Sequence, residues 1–102
     1  MFTMIVLNQE FKEKMEDITR ISSNVNKNDE EKLLSMIKEH VVEIEELYKN
    51  EDSHWTIETA DLIVLCFELL ISENKDIDDV FTRCLPRFYK KLNKLANKEG
   101  GI

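Results

Sequence analysis

The sequence predicts an all-α fold in which four helices form a bundle-like single domain over residues 1–102. Three observations favour this class. Leucine, lysine and glutamate, which are good helix formers, dominate the composition. The chain holds 2 Gly and 1 Pro, too few for a sheet of hairpins or for a glycine-rich phosphate loop. Apolar residues recur at three- and four-residue steps in four segments.

The first two helices are predicted from such stripes and from a capping signal. The first stripe begins at Met4 and continues through Leu7 to Val25. Asn28 followed three residues later by Glu31 resembles a capping box. We therefore expect a second helix over about residues 29–49.

The last two helices are separated by a short polar segment, SENKD. The third helix is expected over about residues 54–73, with Asp52 or Ser53 as its cap. The fourth is expected to begin after Asp76 and to end at Gly100. Pro86 lies inside it, where the missing N–H and the ring clash predict a kink or a break into two pieces.

Charge is distributed unevenly along the chain. Residues 29–79 carry sixteen acids and four bases, whereas residues 80–102 carry one acid and six bases. The net charge of −7 argues against a general nucleic-acid binder. An acidic middle beside a basic end suits a divalent cation with an anionic ligand, although solvated helix faces are the commoner explanation of charge runs.

Two cysteines, Cys66 and Cys84, lie in apolar stretches without zinc-ligand spacing. We interpret both as reduced core residues of a cytoplasmic protein. The N-terminal apolar run lacks a basic segment before it and a cleavage site after it, so no signal peptide is predicted. The longest apolar run, residues 62–67, is too short to span a membrane.

The carboxylates of the third helix share one narrow stripe. At about 100° per residue, Asp61 at 0° is flanked by Glu58 near 60° and Glu68 near 340°. Burying carboxylates on so apolar a helix requires compensation by a partner or a metal ion. If the second helix packs antiparallel, Glu39 and Glu43 meet Glu58 and Asp61 in one cluster. Such oxygen-only ligation suits Mg²⁺ or Mn²⁺.

At these residues the chain resembles a known family. EHVVE at residues 39–43, followed after 14 residues by ETAD at 58–61, is similar to the EExxE and ExxD signature of the MazG-like all-α nucleoside triphosphate pyrophosphohydrolases. The similarity covers about residues 33–95. His40 departs from the signature, which has glutamate there. It is either a replaced metal ligand or an ordinary helix-edge histidine.

The resemblance implies hydrolysis of a nucleoside triphosphate to a monophosphate and pyrophosphate, with Mg²⁺ (or Mn²⁺) as cofactor and a role in clearing unwanted nucleotides. It implies Glu39, Glu43, Glu58 and Asp61 as ligands, with one of the glutamates orienting or deprotonating water. It also implies a homodimer or homotetramer. The alternative is a degenerate, noncatalytic helical module that binds a nucleotide or itself.

The basic side chains of the fourth helix are candidates for phosphate binding, and Arg87 and Lys91 lie nearest its apolar stripe. A solvated basic face is the competing interpretation. The third helix is apolar around much of its circumference, so we expect contacts between copies at Ile63, Phe67 or Leu70.

Overall fold

A computed structural model describes residues 4–99. It contains four α-helices, and their bounds are α1 Gln9–Asn26, α2 Glu30–Lys49, α3 Trp55–Ser72 and α4 Ile77–Glu99. Residues 4–99 contain no β-strand, so the prediction of an all-α fold is confirmed. In the same range, no helix is both long and apolar enough to cross a membrane.

The chain before α1 is not helical, contrary to the expectation that the first helix includes Met4 and Leu7. Its backbone is held by the first turns of α4 instead. The Ile5 N–H donates to Thr82 Oγ1 at 2.9 Å, and the Leu7 N–H donates to Asp78 Oδ1 at 2.8 Å. Apolar spacing alone does not distinguish a helical turn from an extended segment that packs on another helix.

The helix caps differ in part from those predicted. Asp29, rather than Asn28, caps α2 by accepting a hydrogen bond from the Lys32 N–H. Asn28 adopts a left-handed conformation with φ of 58°, which asparagine tolerates better than most residues. The N-cap of α3 is His54, which makes no side-chain cap bond. Asp76 accepts from the Asp79 N–H at the start of α4, as predicted.

The hydrophobic core is centred on α3, which packs most extensively against α2, also against α1, and least against α4. Phe67 of α3 is buried together with Met15 of α1 and Ile77 of α4. Its ring contacts Phe11 edge-on at a centroid distance of 5.4 Å and lies 5.8 Å from Phe81. Phe67 is therefore a core residue and not the surface contact that we expected.

Helix α4 is continuous through Pro86, so the predicted break is wrong. The predicted end at Gly100 lies outside the described residues. Every residue from Arg83 to Lys98 is exposed, because α4 leaves the other helices after its first turns. The radius of gyration is 16.8 Å, whereas a compact chain of this length has about 13 Å.

Cys66 and Cys84 are both exposed free thiols, so their assignment to the core is wrong. The sequence places them correctly on apolar helix faces. In one copy of the chain, however, the outer side of α3 and the second half of α4 face solvent.

Candidate metal centre

Two of the four predicted acidic ligands, Glu58 and Asp61, lie together with His40 where α2 packs against the beginning of α3. The two helices are joined by a short turn, and Tyr48 contacts Trp55 edge-on at a centroid distance of 5.5 Å. Further from the turn, His40 faces Glu58. These two contacts require the helices to be antiparallel, as the sequence predicted.

Three side chains form a group that is close enough to hold one metal ion. One ligand atom from each of His40, Glu58 and Asp61 lies within 4.8 Å of the others. Two ligands of a bound Mg²⁺ are at most about 4.2 Å apart, since each lies about 2.1 Å from the ion. Small side-chain rotations would therefore bring the three donors into contact with one ion.

His40 is oriented by the backbone of its own helix. Its Nδ1 lies 2.8 Å from the carbonyl oxygen of Met36, and because a carbonyl oxygen only accepts, Nδ1 carries the proton. In the neutral ring, Nε2 then presents its lone pair towards Glu58, with Nε2 3.4 Å from Oε2. Histidines that ligate metals are commonly oriented in this way, with the other ring nitrogen donating to a backbone carbonyl.

Glu58 is the central carboxylate of the group, and its side chain is 16% exposed. Its Oε1 lies 3.3 Å from Nε2 of His54, and its Oε2 faces His40. The sequence analysis did not predict a role for His54 at this cluster. The signal was present, because His54 and Glu58 are four residues apart and such pairs meet on one helix face.

Glu43 lies beside Glu58, and this neighbour raises the pKa of the Glu43 carboxyl. The hydrogen bond that a protonated Glu43 shares with Glu58 is the main cause, followed by the charge of Glu58. The charge of His40 lowers the pKa of Glu43, and the charge of Glu39 raises it by a smaller amount. Glu39 and Glu43 are both exposed, and both lie outside the group of three ligand atoms.

Asp61 is exposed, whereas Glu58 is half-buried. The sequence predicts that Asp61 is the more buried of the two, because it is at the centre of the acidic stripe. The stripe indicates which residues share a face, but the burial of each depends on what the neighbouring helix covers. Glu58 is therefore the carboxylate of this group whose charge water compensates least.

Arg87 and Lys91 are on α4, whereas the acidic cluster is formed by α2 and α3. They are on the exposed second half of α4, where they line a shallow depression with Cys84 and Phe88. Helix α4 meets α3 near Phe67 and Phe81, and Phe67 lies about half the length of α3 from Glu58. That depression shares no residue with the group of His40, Glu58 and Asp61, and a role of Arg87 and Lys91 in phosphate binding stays a prediction.

The chemistry of the donors fits a divalent cation. Glu58, Asp61 and the nearby Glu43 supply hard oxygen ligands, which suit Mg²⁺ and Mn²⁺, and His40 adds an imidazole that suits Mn²⁺ better. Comparisons of the chain with protein-family models, curated proteins and solved structures found no match.

Proposed function

We propose that the protein is a divalent-metal-dependent nucleoside triphosphate pyrophosphohydrolase of the MazG-like type, producing a nucleoside monophosphate and pyrophosphate. The observation that carries the proposal is the meeting of His40, Glu58 and Asp61 between α2 and α3. These positions belong to the EHVVE and ETAD segments, through which the chain resembles that family. Glu58 and Asp61 are the residues that both the geometry and the resemblance support.

The proposed metal ligands are Glu58, Asp61, Glu43 and Glu39, with His40 as a further donor. A bound Mg²⁺ or Mn²⁺ would neutralise triphosphate charge and acidify a water molecule. Glu43, which is exposed and lies beside Glu58, is our first candidate for the residue that orients the attacking water and accepts its proton. Glu39, one turn away and exposed, is the second candidate for this role.

The surface of a single copy supports a homo-oligomer. The structure exposes 8367 Å², whereas a compact monomer of this length exposes about 6,000 Å². Exposed apolar side chains on α3 and on the second half of α4 account for part of the difference, among them Ile63, Leu85, Phe88, Leu92 and Leu95. Association would cover them, and it would give Arg87 and Lys91 a route to the acidic cluster of another copy.

One observation favours a noncatalytic alternative. Both oxygens of Glu58 already have imidazole partners, His40 and His54. Protonated histidines would compensate the carboxylate without a metal ion. In that case the cluster is a structural ion pair in a helical module that binds a nucleotide or itself.

Pyrophosphate release across canonical and modified triphosphates, with Mg²⁺ or Mn²⁺, tests the proposal. Glu58→Gln removes the central charge, and Glu46→Gln makes the same change at an exposed glutamate of α2. We expect release by the parent and by Glu46→Gln, and a loss of about 100-fold or more in Glu58→Gln. Binding of triphosphate without release by the parent would select the noncatalytic alternative.

A further inference from the structure

A second polar site lies between α1, α2 and α3, on residues that the proposed reaction does not use. A cavity of about 90 Å³ opens among the end of α1, the beginning of α2 and the last turns of α3. Its volume corresponds to about three water molecules. Glu68, which is 5% exposed, contributes its carboxylate to the wall.

Glu68 has no cationic partner among the described residues. The ion pairs within residues 4–98 do not include it. Its one hydrogen bond from the protein within that range comes from Ser22 Oγ, which lies 3.2 Å from Oε2. A carboxylate buried to this degree with one neutral donor is left with an uncompensated charge, and burial correspondingly raises the pKa of Glu68.

Three hydroxyl groups that line the cavity donate their single proton within the protein. Ser22 donates to Glu68, and Asn26 Nδ2 donates to Ser22 at 3.2 Å. Ser72 Oγ donates to the Leu69 carbonyl at 3.0 Å. Thr19 Oγ1 donates to the Met15 carbonyl at 2.8 Å. The Oγ atoms of Ser22 and Ser72 and Oγ1 of Thr19 are therefore left with lone pairs to offer a ligand in the cavity.

The charged side chains that line the cavity are acidic, like Glu68 itself. Asp29 and Glu30 line the cavity, and no lysine or arginine does. Helices α1 and α3 both end beside it, at Asn26 and Ser72, and the carboxyl end of a helix carries partial negative charge, whereas α2 begins beside it, at Glu30, with the partial positive charge of a helix amino end. The carboxylates of Glu68, Asp29 and Glu30, together with the ends of α1 and α3, outweigh the single helix amino end, so the environment favours a cation over an anion.

We propose that this cavity, the Glu68 pocket, binds a small cation through oxygen atoms. The carboxylate of Glu68 and the lone pairs of Ser22 and Ser72 would be its nearest ligands. Inorganic cations such as Ca²⁺ or K⁺ and a primary ammonium group share the required chemistry, since each accepts several oxygen donors. The pocket is distinct from the His40, Glu58 and Asp61 group, so the proposal does not rest on the proposed enzymatic activity.

The test uses the full chain carrying Glu58→Gln, which weakens cation binding at the acidic cluster. Its thermal midpoint is followed by circular dichroism during titration with CaCl₂, KCl or methylammonium chloride, and tetramethylammonium chloride maintains the ionic strength. We expect a saturable rise with at least one of the three cations. The CaCl₂ and KCl titrations report an inorganic ion, and the methylammonium titration reports an amine.

Adding Glu68→Gln should abolish that rise, whereas adding Glu73→Gln at the exposed residue after α3 should preserve it. If the Glu68 variant does not fold, Ser22→Ala replaces it and should weaken the cation affinity about tenfold by calorimetry. The absence of a saturable response to all three cations would overturn the proposal. Equal responses with and without Glu68 would overturn it as well.

Discussion

His40 Nε2 lies 3.4 Å from Glu58 Oε2 across the interface of α2 and α3, at the position where the chain departs from the MazG-like signature. The proton on Nδ1 is held by the Met36 carbonyl, so the ring presents Nε2 to the carboxylates. This relationship makes His40 a metal donor in one hypothesis and a counter-ion of Glu58 in the other.

His40→Glu should strengthen Mg²⁺ binding, because a hard cation prefers carboxylate to imidazole. Without metal, the variant should be less stable than the parent, since another negative charge then lies beside Glu58 and Glu43. Thermal midpoints in chelator and in MgCl₂, together with pyrophosphate release, measure both effects. His40→Gln, which adds no charge, is the control. A Mg²⁺-induced shift no larger than that of the parent would contradict our placement of this residue.

Asp61→Asn should lower turnover by orders of magnitude, about 100-fold or more, because it deletes an anionic ligand while keeping the side-chain shape. Its stability in chelator should equal or exceed that of the parent, since neutralising one of several neighbouring carboxylates relieves repulsion. Urea unfolding in chelator and steady-state kinetics provide the two measurements. A large loss of metal-free stability would instead indicate a structural ion pair.

Ile63→Lys should shift the protein towards the monomer, because Ile63 is 51% exposed on α3 and a lysine there is unfavourable in an apolar contact. Sedimentation velocity at micromolar concentration measures the effect, and circular dichroism checks that the fold is kept. Ser35→Lys introduces the same charge at an exposed polar position of α2 and should leave the assembly unchanged. A parent protein that sediments as a monomer would refute the predicted oligomer.

Asp78 links the chain before α1 to α4, and its carboxyl group should make the stability of the fold depend on pH in the acid range. The Leu7 N–H, and then Lys12 Nζ at 2.6 Å, hold the pKa of Asp78 below its ordinary value of 3.8. A carboxyl group whose pKa is lower in the folded state stabilises the fold at any pH above its unfolded-state pKa. This contribution is lost as the pH falls through the folded-state pKa. We therefore expect this contribution to decline below about pH 4.

Asp78→Asn should lower the thermal midpoint at pH 7 and flatten that acid dependence, because it removes the titrating charge. Asp79→Asn, at the exposed neighbouring residue, is the matched control. Thermal scans from pH 2 to 7 compare the two variants with the parent. An unchanged acid profile in Asp78→Asn would show that other carboxylates control it.

The sequence predicted four helices, and Glu58 and Asp61 of the predicted cluster lie in one group with His40, but it predicted the burial of individual residues less well. The bounds predicted for α2 and α3 differ from the observed bounds by at most one residue at either end of each helix. The antiparallel pairing that joins EHVVE to ETAD followed from the short turn between the helices. The role of His54 was not predicted, because its contact with Glu58 depends on side-chain conformations at the first turn of α3.

Local sequence by itself determined the helical fold and the faces on which the carboxylates and apolar residues lie, because helix periodicity and capping depend on neighbouring residues. The tertiary structure decided which of those faces are covered. It enclosed Glu58 more than Asp61, buried Glu68 beside a polar cavity, and left Cys66 and Cys84 exposed. Burial is a property of how helices distant in sequence pack together, and a residue's position on its own helix does not specify it.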